Sequence, residues 1–164
     1  ESILDLLLEI NQELGLTIFL ITHELSVIQR LCDRVAVMQD GQIVEQGPVV
    51  DVFTQPRSTI TKTFVQDSAK YKLPAKFLQT LPEEGVLIHC TFVGISSTKP
   101  ALAHVATTFG VVPNIIAGGI DQFKNESVGN LLVHLEGEPD KVTAAINYLS
   151  GQGIIVKKEG EING

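Results

Sequence analysis

From residue 85 onward the chain alternates two hydrophobic periods in a fixed order, and that order leaves few folds open. Val86, Ile88, Cys90 and Phe92 alternate with Leu87, His89, Thr91 and Val93, which predicts a half-buried strand. Ser97 or Thr98 can cap a following helix, with Pro100 in its first turn. The apolar face of that helix is Leu102, Val105, Ala106 and Phe109, at i, i+3, i+4 and i+7, and Gly110 ends it. Val111 to Ile120 reads as a second strand, Asp121 to Val128 as a polar turn, and Asn130 to Glu136 as a third strand. Pro139 starts a second helix with Val142, Ala145, Ile146 and Leu149 inward, stopped by Gly151 and Gly153. Ile154 to Lys158 is the last strand.

The order is β-α-β-β-α-β, itself a faint repeat of strand, helix and strand. Two such units form a four-stranded antiparallel sheet with both helices on one face, the ferredoxin-like α+β arrangement. The other face then needs cover. Leu87, Val93 and Leu132 point that way by alternation, which predicts a partner surface there.

The first part of the chain follows a different pattern. Ile3, Leu4, Leu7, Leu8 and Leu14 recur at helical spacing, and Gly15 sits at the stop. The β-branched run Thr17 to Thr22 predicts a buried, parallel-type strand closed by His23, with Glu24 opening a helix. Asp33 to Met38 and Ile43 to Gly47 predict a strand pair turning at Gly41, followed by short helices at Pro48–Phe53 and Ser58–Gln66. Residues 67–84 mix Lys70, Lys72, Lys76, Pro74 and Pro82 with scattered apolar positions. That composition marks a connector, helical around Ala75–Leu81, whose prolines limit its slack.

A His at the carboxyl end of a parallel strand lies where α/β folds gather their chemistry. The whole block, Thr22-His23-Glu24 followed by Asp33-Arg34-Val35-Ala36-Val37-Met38, Asp40-Gly41 and Ile43-Val44-Glu45-Gln46-Gly47, resembles the end of the ATPase domain of ABC transporters. The resemblance implies that His23 is the switch-loop histidine contacting the γ-phosphate of ATP, and that residues 1–66 are the C-terminal portion of an α/β ATPase domain. ATP and Mg are then the cofactors of the parent protein. No G-x-x-x-x-G-K-[ST] loop occurs in the chain, and the signature and acidic Mg-binding strand are missing too. The expectation is a carboxy-terminal fragment that holds no cofactor and does not hydrolyse ATP alone.

Composition fits that reading. The net charge of −7 argues against nucleic acid or an anionic membrane surface as direct partner. No apolar run approaches the length of a spanning helix, and no signal-peptide pattern is present. Cys32 and Cys90 lie far apart without a C-x-x-C pair, which fits a reducing, cytosolic compartment and not a zinc site.

An ATPase end followed by this small module resembles the ATP-binding subunit of bacterial methionine importers, whose appended ferredoxin-like piece is the NIL domain. Here residues 85–164 would be that domain, and Asn114-Ile115-Ile116 stands where the Asn-Ile-Leu signature belongs, with Ile for Leu. Asn130-Leu131-Leu132 is a second, imperfect match. The resemblance implies a homodimer through this domain and a transmembrane permease as partner. It further implies a peripheral position on the cytoplasmic side of the cell membrane, and inhibition of transport by bound cytoplasmic methionine. Asn114 is the candidate ligand-facing residue, since a carboxamide offers donor and acceptor to a zwitterion. Ile115, Ile116 and Ala117 would wall a thioether side chain, and Gly118 and Gly119 would permit close approach of a ligand or partner.

Two alternatives stay open: a ligand-free dimerisation platform, or a transporter of another small cargo. His89 and His134 lie on neighbouring strands and read as a cross-strand pair rather than half a metal site. His104 falls off the apolar face of its helix and is expected in solvent, and the Lys157–Glu161 tail reads as a solvated end.

Overall fold

The computed structural model describes residues 3–68, 75–78, 80–82, 84–94, 96 and 99–158. The expected caps Ser97 and Thr98, the connector residues Lys70, Lys72 and Pro74, and the end of the tail lie outside that set. The chain divides into two compact units, Glu1–Lys70 with Gln122–Asn125, and Tyr71–Asp121 with Glu126–Gly164.

In the first unit, α1 (Ile3–Leu14) and α2 (Leu25–Leu31) precede a hairpin of β1 (Arg34–Gln39) and β2 (Gln42–Pro48). The strands pair antiparallel, from Arg34 opposite Pro48 to Gln39 opposite Gln42. Asp40 and Gly41 both take positive φ, 50° and 78°. Two such residues form the tight turn whose twist matches a hairpin, which is why Asp-Gly stands there. Helices α3 (Val49–Thr54) and α4 (Thr59–Ser68) follow, and Val49, Val52 and Phe53 are buried.

Glu45 ties this hairpin to α4. Its carboxylate accepts the backbone N–H of Arg57 at 2.9 Å and of Ser58 at 3.0 Å, while the Ser58 hydroxyl accepts the N–H of Thr61. Burial alone would raise the carboxyl pKa, but these bonds outweigh it and hold Glu45 below its ordinary value.

The run Thr17 to Thr22 is not a strand; residues 15–22 have no regular structure. A parallel-type strand exists only through a neighbour that completes its ladder. Among the described residues β1 and β2 pair only with each other, and Phe19 and Ile21 are almost fully exposed.

The second unit has the expected ferredoxin-like architecture. Strands β3 (Val86–Val93), β4 (Val112–Gln122), β5 (Ser127–Glu136) and β6 (Ile155–Lys158) form one sheet in the order β4-β5-β3-β6. β3 runs antiparallel to both β5 and β6. α5 (Ala75–Leu78) is a single turn before β3, shorter than the expected Ala75–Leu81. α6 (Ala101–Phe109) packs Val105, Leu102 and Phe109 against the core as their spacing predicts, but Ala106 is exposed and Ala101 is buried instead. α7 (Pro139–Gly151) turns Val142, Ala145, Ile146 and Leu149 inward as expected. Ile88, Cys90, Val105, Val133, Leu135, Ala145 and Leu149 are completely buried between helices and sheet. Burial pushes the Cys90 thiol up to about 12, so it is an inert core atom.

Two expectations change here. β4 and β5 are longer than their apolar patterns, leaving only residues 123–126 between them instead of a turn over Asp121–Val128. The face away from the helices is covered only in part: Thr91, Val128, Leu132 and His134 are buried, while Leu87 and Val93 are half-buried. The near-continuous apolar run Leu131 to Leu135 is the pattern of a strand covered on both sides.

The two candidate histidines are not opposite each other. His89 pairs with Leu132 on one side and Lys157 on the other, and His134 pairs with Leu87. Burial, reinforced by the Lys157 charge, holds the His89 imidazole below its ordinary pKa. A depressed histidine contributes stability that is complete above its unfolded value, about 6.5, and is lost as pH falls through the folded value. Urea unfolding at about pH 7.5 and about pH 5.5 will therefore show a lower midpoint in acid. The drop will shrink in His89→Gln; an equal drop in both chains would remove this source.

Candidate functional site

The strand order places β4 at an edge of the sheet, and at 11 residues it is a long edge. Long apolar edges are usually blunted by charge, proline or a covering element. This one carries Val112, Ile115 and Ile120, exposed at 61%, 56% and 72%. Its proline, Pro113, stands near the start of the strand, where a missing N–H interrupts little of the ladder.

Beside the second half of this edge, within the same unit, a cavity of about 390 Å³ opens against α6. Its floor is Phe92 from β3, Leu131 from β5 and Ile120 from β4. The first turn of α6, Ala101 to Ala103, forms a wall, and Lys99 and Ser127 stand among its few polar lining residues. Glycines make the space. Gly119 and Gly129 line it without side chains. Gly118 lies under Leu131, whose side chain occupies the position that a Cβ on Gly118 would take. Volume and apolar lining suit a small molecule at the lower end of the usual pocket range.

Asn114, the candidate ligand residue, is exposed on β4 with Ile115, while Ile116 and Ala117 are half-buried. Gly118 faces the helix-bearing side of the sheet, since its missing Cβ points at Leu131. Counting back in twos, Ile116 and Asn114 fall on that side, and Ile115 and Ala117 on the other. Asn114 and Ile120 are separated by six residues of strand, about 20 Å. One chain therefore does not bring Asn114 to the cavity floor.

The second Asn candidate is already engaged. Asn130 accepts a hydrogen bond from the Thr91 hydroxyl at 2.9 Å and donates to Asp121 at 3.1 Å, a polar rung across three strands. It fixes register rather than presenting a free carboxamide. His134 Nδ1 lies 3.2 Å from Glu136 Oε1. Among the described residues no three His, Cys, Asp or Glu side chains are grouped to hold a metal. His104 is exposed as expected, stacked on Tyr148 at 4.6 Å between ring centroids. In the first unit His23 is exposed, one residue after Thr22, whose hydroxyl accepts the Glu24 N–H at 3.0 Å and sets the turn into α2.

The cavity has no periodic signature, because its lining comes from three strands, the start of α6 and the glycines Gly119 and Gly129. The signal that does exist is Gly118-Gly119 on β4 together with Gly129 on β5, three glycines inside strands that should otherwise disfavour them.

Residues 86–158 match the NIL domain family. The methionine import ATP-binding protein MetN 1 of Listeria monocytogenes is 51% identical over 158 residues, covering 96% of this chain and 47% of that protein. MetN 1 of Bacillus anthracis is 49% identical over 157 residues, covering 96% of this chain and 45% of that protein. The chain thus spans about half the length of the curated relatives it matches. Among solved structures, the C-terminal domain of an ABC transporter ATP-binding protein from Enterococcus faecalis aligns with a TM-score of 0.45 and 25% identity, covering 54% of this chain and 98% of that one. No helix among the described residues is long and apolar enough to cross a membrane. Along nearly all its length the chain is thus similar to about half the length of the methionine-import ATP-binding proteins, with about half of the aligned residues identical, and its residues 86–158 match the NIL domain.

Proposed function

We propose that this chain is the regulatory end of the ATP-hydrolysing subunit of a methionine importer. Its NIL domain pairs with a second copy along β4, binds methionine, and in the occupied state holds the two ATPase domains apart so that import stops. The parent subunit works peripherally, on the cytoplasmic side of the membrane, against a transmembrane permease. There His23 contacts the γ-phosphate of a Mg-bound ATP whose other contacts lie outside this chain. Alone, these 164 residues hydrolyse nothing.

The observation that carries the reading is the glycine-made apolar cavity opening beside an edge strand that bears Asn114. Two β4 strands paired antiparallel about Ala117 place Asn114 of one copy opposite Ile120 of the other. Residues opposite each other share a face, so each copy's cavity receives the other copy's carboxamide. The energetic demand is small. A tenfold preference of methionine for the separated state is about 1.4 kcal/mol, which one buried hydrogen bond approaches.

Calorimetric titration of the 164-residue chain with L-methionine, with L-leucine as control, tests this. The expected result is saturable binding of methionine that Asn114→Ala weakens at least about tenfold, the cost of one well-placed hydrogen bond. A folded, dimeric sample that gives no heat would replace the sensor by a dimerisation platform or another cargo.

A further inference from the structure

Lys99 stands at the α6 cavity with a charge that the described structure leaves unmatched. Its described partner is the neutral side-chain amide of Gln152, 3.3 Å away, and no described carboxylate pairs with it. The cavity it borders is otherwise apolar, with Phe92, Leu131 and Ile120 as floor. An apolar pocket beside a single ammonium is complementary to a molecule with one anionic group and an apolar tail.

We propose that this cavity is the side-chain pocket for the amino-acid ligand and that Lys99 binds the ligand's α-carboxylate. The inference rests on the sensor reading above and adds to it an anchoring cation and a size limit. Gly129 sets that limit. A methyl group placed on it would meet Phe92 Cβ at 3.6 Å and Cδ2 at 3.9 Å, ordinary contact distances, so larger side chains there grow into the cavity without displacing backbone. An unbranched side chain enters such a space more easily than one branched at Cβ, whose stiff χ1 brings two substituents to the mouth together.

The test is titration of the full chain and three variants with L-methionine and with methioninol, which keeps the thioether and amine but lacks the carboxylate. Lys99→Met is expected to weaken L-methionine about fivefold, the range of an accessible ion pair, and to leave methioninol unchanged. Lys99→Arg is expected to restore L-methionine. Gly129→Val is expected to weaken both ligands. Unchanged L-methionine affinity in Lys99→Met and Gly129→Val would overturn the pocket assignment and leave the sensor reading standing. Lys99 decides the matter alone if the valine chain does not fold. Absence of methionine binding to the unmodified chain would overturn both readings.

Discussion

Leu149→Ala will lower the unfolding free energy of the NIL domain by about 2–5 kcal/mol, the span measured for buried leucines. The side chain is completely buried on α7, in one cluster with Ile88 and Cys90 of β3 and Val105 of α6. Truncation leaves a void where helix and sheet meet, and the surrounding β-branched and strand residues are poorly placed to close it. A domain of this size has only about 5–15 kcal/mol in total, so the loss will be visible as a large fall in the urea midpoint. A change below about 1 kcal/mol would mean that the core is not packed as described.

The second large effect concerns β4. In the pairing proposed above, Ile115→Lys combined with Ile120→Lys is expected to leave monomers in sedimentation experiments, weakening association of the two copies at least about a hundredfold. Both positions are exposed in the single chain, so the folded monomer tolerates the charge. In the two-fold pair about Ala117, residue 115 stands opposite Gly119 and residue 120 opposite Asn114, so the substitutions carry ammonium groups into the seam on both faces of the sheet, where they lose hydration without an opposite charge. A doubly substituted chain that stays dimeric would place the dimer contact elsewhere.

The folded architecture of the second unit was legible because each element declared itself in a single period. Ile88, Cys90 and Phe92 alternate, Val105 and Phe109 keep helical spacing, and all of them pack where that spacing points. The ends of β4 and β5 were not legible. Asp121 and Ser127 read as turn residues, yet main-chain pairing carries both strands through them. The Thr17–Thr22 run failed for the opposite reason: its composition is right for a strand, but a strand is a relation between segments, and the described residues supply no partner. The cavity was not legible: Gly119 lines it, but what lies over Gly118 is the chain's own Leu131, and Lys99, Phe92 and Ser127 come from separate parts of the chain that only the fold brings together. The bonds from Asn130 to Thr91 and Asp121, which join three strands, were not legible in the sequence.

The tie between Glu45 and the start of α4 has a mechanical consequence. Two charge-assisted hydrogen bonds join β2 to the chain a dozen residues downstream, at Arg57 and Ser58. Tension applied beyond α4 therefore reaches the hairpin through this rivet as well as through α3, so the two elements resist as one piece until the carboxylate lets go. Protonation of Glu45 loosens the rivet, and its depressed pKa postpones that release to acid conditions. A length of chain meant to convey a pull needs such a fixed point, because slack at its root would be taken up before any force arrived.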